Sequence, residues 1–185
     1  HLKDMPQYDI NDPGIGLAHR IDKDTSGLLG VATTASATTS LGLQFFIKTT
    51  KREYNALVWG NFTEEKGRIE GNIGRDPKDR MRMAVFPPDS EIGKSAVTHY
   101  EVLERFGYTT WVKCVLETGR THQIRAQLAL AGLHIVNDRL YGAFAVEGQT
   151  GHCLHAWAVS CRHPVSGSPC EIRTRLPVWA GQFVV

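Results

Sequence analysis

Alternation of apolar and polar positions is the dominant pattern along this chain. From Lys51 to Gly60, Tyr54, Ala56 and Val58 share one side of an extended strand, and Asn55, Leu57 and Trp59 the other. Val97 to Arg105 and Thr109 to Glu117 alternate in the same way. Phe106-Gly107-Tyr108 joins them as a hairpin, with Gly107 free to take positive φ. His155 to His163 places Trp157, Val159 and Cys161 on one side, and Glu171 to Arg175 predicts a last strand. Gly67 to Ile73 and Met81 to Phe86 predict shorter strands around a polar turn from Gly74 to Arg80. The apolar run Gly27 to Ala32 predicts a buried strand. Two stretches have helical periodicity instead. Thr33 and Thr34 offer N-caps for a helix from about Ala35 to Lys48. Thr121 offers one for a helix carrying Ile124, Leu128 and Ala131, closed by Gly132. Many antiparallel strands with two or three helices, not in strict alternation, predict an α+β fold.

Composition narrows the class. With 42% hydrophobic and 22% charged residues, the 185-residue chain is balanced for a folded core. The apolar runs are too short for a membrane span, and no linker or repeat divides the chain, so one domain over 1–185 is expected. The chain starts at His1 without a charged-then-apolar signal segment, and we expect it to be a piece of something longer. Cys114, Cys153, Cys161 and Cys170 match no zinc spacing and are expected to be reduced thiols in a cytoplasmic protein. A net charge of +2 does not by itself mark a nucleic-acid binder.

Chemistry concentrates in two segments. His19-Arg20-Ile21-Asp22-Lys23-Asp24-Thr25-Ser26-Gly27 precedes a predicted strand. Glu117-Thr118-Gly119-Arg120-Thr121-His122-Gln123-Ile124-Arg125 lies where a strand gives way to a helix. Either one alone reads as a solvated loop or a capped helix start. Two such clusters at strand ends match the usual position of a functional site.

The first segment resembles the active-site signature of the RluA-type pseudouridine synthases, H-R-L-D-x-x-T-S-G. Four further motifs follow in that family's order. Arg52-Glu53-Tyr54-Asn55-Ala56 resembles its K-x-Y-x-A strand, and Leu116 to Arg125 its L-x-T-G-R-T-H-Q-I-R motif. Asn137-Asp138-Arg139-Leu140-Tyr141-Gly142 resembles G-D-x-x-Y-G, and Leu154-His155-Ala156 with His163-Pro164 resembles L-H-A…H-P. Asn72 to Val85 and Ala96 to Tyr100 look most like the subclass acting on large-subunit ribosomal RNA. Ile21 replaces Leu, Arg52 Lys, Asn137 Gly and Gln127 His, and the loop from Gly142 to Leu154 looks short. We expect the chain to lack the family's N-K-P strand and S4-like RNA-binding domain.

The resemblance implies a central, mainly antiparallel mixed sheet with flanking helices and loops and a cleft across it. It implies an isomerase for uridine in structured RNA, working as a monomer without metal or cofactor. Asp22 is then the catalytic carboxylate. It can attack C1′, remove the C2′ proton or add to the base, and the sequence does not choose among these. A carboxylate in a closed pocket takes up a proton unless a cation faces it, and Arg125 is the expected partner. Tyr54 is expected in the pocket floor, where its ring can stack on uracil or its hydroxyl can help move the C5 proton. Arg20 resembles the arginine that fills the space left by a flipped base. Arg120 is expected to contact the loop or a phosphate, and His19, Thr25, Thr121, His122 and Gln123 to line the RNA surface.

Three other readings compete with this one. An inactive RNA-binding module is opposed by the joint presence of Asp22, Tyr54 and Arg125. A glycosidase-like hydrolase would need Asp22 and a second carboxyl, Asp138 or Glu117, facing across one cleft. His152 and His155 fall on opposite faces of an extended segment with no third ligand, so no metal is expected. Outside the motifs, Arg75, Lys78, Arg80 and Arg82 outnumber Asp76 and Asp79. Arg75 and Arg80 are expected to grip phosphates, the alternative being a solvated loop of local ion pairs.

Overall fold

A computed structural model describes residues 16 to 183. The alternating runs become one strongly antiparallel sheet. β4 (Lys51–Trp59) lies at its centre, between β8 (Thr109–Leu116) and β9 (Leu154–Arg162). β8 continues outward to β7 (Lys94–Arg105), then β5 (Lys66–Arg75), then β6 (Met83–Phe86). On the other side β9 is followed by β10 (Pro169–Arg173). The Phe106 to Tyr108 hairpin forms as predicted, with Phe106 N donating to Thr109 O at 2.8 Å.

Central position explains why β4 is buried on both faces. Tyr54, Ala56 and Val58 are buried on one, and Asn55 and Leu57 on the other. Val112, Cys114, Leu128, Ile135 and Val136 complete the core, each at most 1% exposed.

The run from Gly27 to Ala32 is not one strand. It divides into β2 (Ser26–Gly27), parallel to β9, and β3 (Val31–Ala32), antiparallel to β1 (Gly16–Leu17). Leu28 N donates to Ala156 O and Ala18 N to Gly30 O, so the intervening residues turn from one partner to the other.

Helix α1 (Ala35–Phe46) starts where expected, with Thr34 Oγ1 accepting from Ala37 N at 3.2 Å. Helix α2 (Gln123–Leu130) does not use Thr121 as its cap. Its N-cap is His122, in the left-handed region at φ 54° and without a side-chain cap bond. Gln123 Oε1 instead accepts from Arg120 N at 3.0 Å and folds the entry turn. Ile124 and Leu128 enter the core, whereas Ala131 lies beyond the helix end and is exposed. A short helix α3 (Ala180–Phe183) closes the described chain, and among the described residues no helix is long and apolar enough to cross a membrane.

Candidate active site

The Asp22 loop leaves β1 and reaches the sheet through a series of side-chain clamps. Thr25 N donates to Asp22 O at 3.1 Å, closing a turn that presents the Asp22 carboxylate. Thr25 Oγ1 lies 2.8 Å from His152 Nε2, and Ser26 Oγ lies 2.8 Å from His155 Nδ1. His155 Nε2 meets Arg175 O at 3.1 Å. A carbonyl only accepts, so His155 carries its proton on Nε2 and Ser26 donates to Nδ1. Gly27 has φ 104°, and a Cβ there would lie 2.2 Å from Ala156 O, so only glycine lets the loop join β9 in parallel. The Thr-Ser-Gly of the motif is thus a mounting for Asp22. At the other end of the loop, Gly30 N donates to His19 Nε2 at 2.9 Å, and the His19 ring stacks on Phe45 at 4.6 Å. Burial lowers the His19 pKa and holds the ring neutral.

Arg125 faces Asp22, but Asp22 is not its main partner. Its Nε and Nη2 donate to Asp138 Oδ2 and Oδ1 at 2.7 and 2.8 Å, a bidentate pair. Nη1 reaches Asp22 Oδ2 at 3.3 Å. The Arg125 side chain is 7% exposed, Asp138 1% and Asp22 15%. Burial opposes the Arg125 charge, the two carboxylates outweigh it, and its pKa is raised. Asp138 therefore fixes the guanidinium, and the remaining N–H edge turns toward the less buried carboxylate, Asp22. Asp138 stands at the start of a 3-10 turn, Arg139–Tyr141, which also buries Tyr141. The Tyr141 ring lies 5.0 Å from the Arg125 guanidinium and 5.2 Å from that of Arg82. Its hydroxyl accepts from Met83 N at 2.8 Å and lies 3.1 Å from His122 Nδ1.

These elements enclose a cleft of about 500 Å³. His19, Arg20, Asp22, Thr25, Tyr54, Arg120, Thr121, His122 and Gln123 all line it. Tyr54 is 8% exposed, and burial raises its pKa, with Asp22 adding to the effect and Arg52 opposing it. The hydroxyl consequently stays protonated, which favours the ring as a stacking surface over a resting base. Burial also lowers the pKa of His122, with Asp22 opposing.

Two predicted RNA-contacting residues have other duties. Gln123 is buried, and its four polar valences are filled by Thr118 Oγ1, Arg120 N, Val97 O and Thr98 Oγ1. It is a strut between the Thr118 to His122 turn and β7. Thr25 spends its hydroxyl on His152. Arg20, by contrast, is exposed and has no ion pair among the described residues. Arg120 Nε donates to Ser95 O at 3.0 Å.

Arg75 and Arg80 do not join the cleft. They sit on the hairpin between β5 and β6, where Arg75 Nη1 donates to Arg80 O at 2.9 Å. Asp76 Oδ1 accepts from Lys78 N and Asp79 Oδ1 from Met81 N, so both acids cap backbone.

Four residues of the site were missed or misread from sequence. The sequence marks Asp138 as a motif position and a hydrolase carboxyl, His152 as a metal ligand, and Tyr141 and Arg52 as parts of motifs, none of them as a support of the Asp22 site. The available signal was an aspartate three residues before a tyrosine inside one motif. Asn137, at φ 63°, holds a left-handed position that Gly or Asn adopts cheaply, which explains the departure from Gly. Gln127 is fully buried and bonded to Thr98 Oγ1, Ile69 O and Ala96 O.

A mostly antiparallel sheet carrying an aspartate loop, with tyrosine and arginine in one cleft, defines a pseudouridine-synthase type of fold. The RNA pseudouridylate synthase family model matches residues 5–130, and the chain belongs to that family. It is 46% identical over 162 residues to an uncharacterized RNA pseudouridine synthase of Bacillus subtilis, YlyB, covering 88% of this chain and 52% of that protein. It is 44% identical over 173 residues to ribosomal large subunit pseudouridine synthase D of Nitrosomonas europaea, covering 89% and 49%. Among solved structures, human RNA pseudouridylate synthase domain containing 1 superposes with a TM-score of 0.78 at 28% identity, covering 91% of this chain and 72% of that one. The chain spans about half the length of the curated relatives it matches.

Proposed function

We propose that this chain is the catalytic domain of an RNA pseudouridine synthase acting on large-subunit ribosomal RNA. The observation that carries the reading is Asp22 at the cleft surface, 3.3 Å from an arginine already locked by a second carboxylate. In the reaction the N1–C1′ bond of uridine breaks, the base turns, and a C5–C1′ bond forms. The C5 proton leaves and N1 gains one, so atoms balance without an external reagent. Arg125 Nη1, 3.3 Å from Asp22 Oδ2, orients that carboxylate for attack at C1′, removal of the C2′ proton or addition to the base. Tyr54 supplies a flat apolar face for uracil. Arg20, exposed at the cleft, is suited to fill the stack left by the flipped nucleotide.

Ribosomal RNA as substrate is supported by relatives named for the large ribosomal subunit. A cytoplasmic monomer working without metal or cofactor belongs to the same proposal. The hydrolase reading finds no support, because Asp138 is buried with both oxygens on Arg125, and Glu117 lies outside on His99. The test is pseudouridine mapping on a large-subunit ribosomal RNA transcript incubated with the protein. A new pseudouridine made by the wild type and absent with Asp22→Asn is the expected result. An unmodified transcript under both would reject the reading.

A further inference from the structure

Arg52 is a half-buried cleft arginine for which, as for the exposed Arg20, the described residues provide neither a carboxylate nor a backbone acceptor. It sits on β4 two residues before Tyr54, so both side chains project from the same face. Its guanidinium lies 5.7 Å from the Phe45 ring centroid. Its Nε is buried without a hydrogen-bond partner, and no ion pair engages it among the described residues. Glu53, the next residue along β4, pairs with Lys51, and Glu117 pairs with His99 while also feeling the charge of Lys48. The guanidinium lies against Gly119, where a Cβ would come within 2.2 Å of Arg52 Nη1. Burial pushes the Arg52 pKa down, as expected for a cation short of an anion.

A second observation comes from the end of α1. Thr49 N donates to Gln44 O at 3.0 Å, the closing bond of a helix end whose left-handed residue is Lys48, at φ 61°. Glycine fills such a position most cheaply. A lysine bears a conformational cost there, yet Lys48 is exposed and lines the same cleft as Arg52. Strain at a non-glycine residue beside a site is a pointer to function.

Resting on the functional reading above, we propose that Lys48 and Arg52 form a phosphate cradle. It would hold the RNA backbone phosphodiesters that flank the uridine presented to Asp22. A guanidinium fork and a mobile ammonium are suited to phosphate oxygens, and a half-buried cation gains most from an anion that arrives with the substrate. Arg52 and Lys48 are positioning residues in this scheme, since neither needs to touch the reacting carbon.

The test measures binding of a bacterial large-subunit ribosomal RNA transcript against salt, together with thermal melting, for wild type, Arg52→Met and Lys48→Gly. Each lost phosphate contact should reduce the log–log salt slope by about one. Lys48→Gly should do so while raising the melting temperature by a few degrees, because the left-handed strain is relieved. Weaker RNA binding in a more stable protein is a combination that a merely structural residue would not produce. Wild-type slopes in either variant, with the wild type still binding and modifying the transcript, overturn the cradle alone. A wild type that neither binds nor modifies the transcript rejects the functional reading, and the cradle with it.

Discussion

Cations gather in the Asp22 cleft and on the β5–β6 hairpin, and the two regions treat charge in opposite ways. In the cleft, Arg125 is buried and held on both oxygens of Asp138, so its geometry is set before any ligand arrives. On the hairpin, Arg75, Lys78 and Arg80 are exposed, and none forms an ion pair among the described residues. The local acids are used otherwise, and backbone N–H bonds, that of Lys78 first, lower the Asp76 pKa. Lys78 and Arg82 act on Asp76 only through space, without an ion-pair contact among the described residues. A buried, paired cation is suited to orient a reacting carboxylate. Exposed cations left unneutralised are suited to grip a polyanion, and salt screens them. The two regions meet at Tyr141, which contacts Arg125, Arg82 and the Met83 backbone.

The comparison can be broken most decisively at Asp22. Asp22→Asn keeps shape but can neither attack nor take a proton. Pseudouridine formation should fall by ~10³-fold or more, with RNA affinity nearly unchanged, read by tritium release and a binding titration. Asp24→Asn, on an exposed residue beside it, should stay close to wild type. Near-normal turnover in Asp22→Asn would remove the assignment.

Stability should divide the regions next. Arg125→Met strands the buried Asp138 carboxylate, and Asp138→Asn leaves the guanidinium short of an anion. Each should lower stability by about 3–5 kcal/mol in denaturant unfolding. Arg75→Ala with Arg80→Ala should leave the unfolding midpoint almost unmoved. If the cleft pair proved as tolerant as the hairpin, Asp138 would not be the anchor described here.

On the hairpin the effect belongs in binding. Arg75→Ala with Arg80→Ala should weaken RNA affinity and reduce the salt slope by about two. The single-turnover rate at saturating RNA should be retained. An unchanged slope would make this loop an ordinary solvated turn.

The smallest effect concerns pH. Burial lowers the pKa of His152 below the ordinary 6.5. As pH falls through that value the unfolded chain takes up the proton first, so stability declines. His19, His122 and His155 are lowered for the same first reason and act in the same direction. Unfolding measured from pH 7.5 to 5.5 should show this loss, and His152→Asn should make it shallower. Equal steepness in that variant would mean the clamp on Thr25 is not a source of the dependence.

Local pattern was enough to read β4 and the β7–β8 hairpin, because alternation is written within a few residues; Asp22, Tyr54 and Arg125 became site candidates only through the resemblance of whole motifs. It misread Gly27 to Ala32 as one strand, since that run has two different partners, β9 and β1. It gave α2 the wrong cap, because Gln123, not Thr121, satisfies the entry turn. Only the tertiary structure decided who holds whom. His152 meets Thr25 across 127 residues, and Arg125 prefers Asp138 to Asp22. Pairing of buried charges depends on which distant segments the sheet brings together and how much water they exclude. Neither quantity is carried by the residues alone.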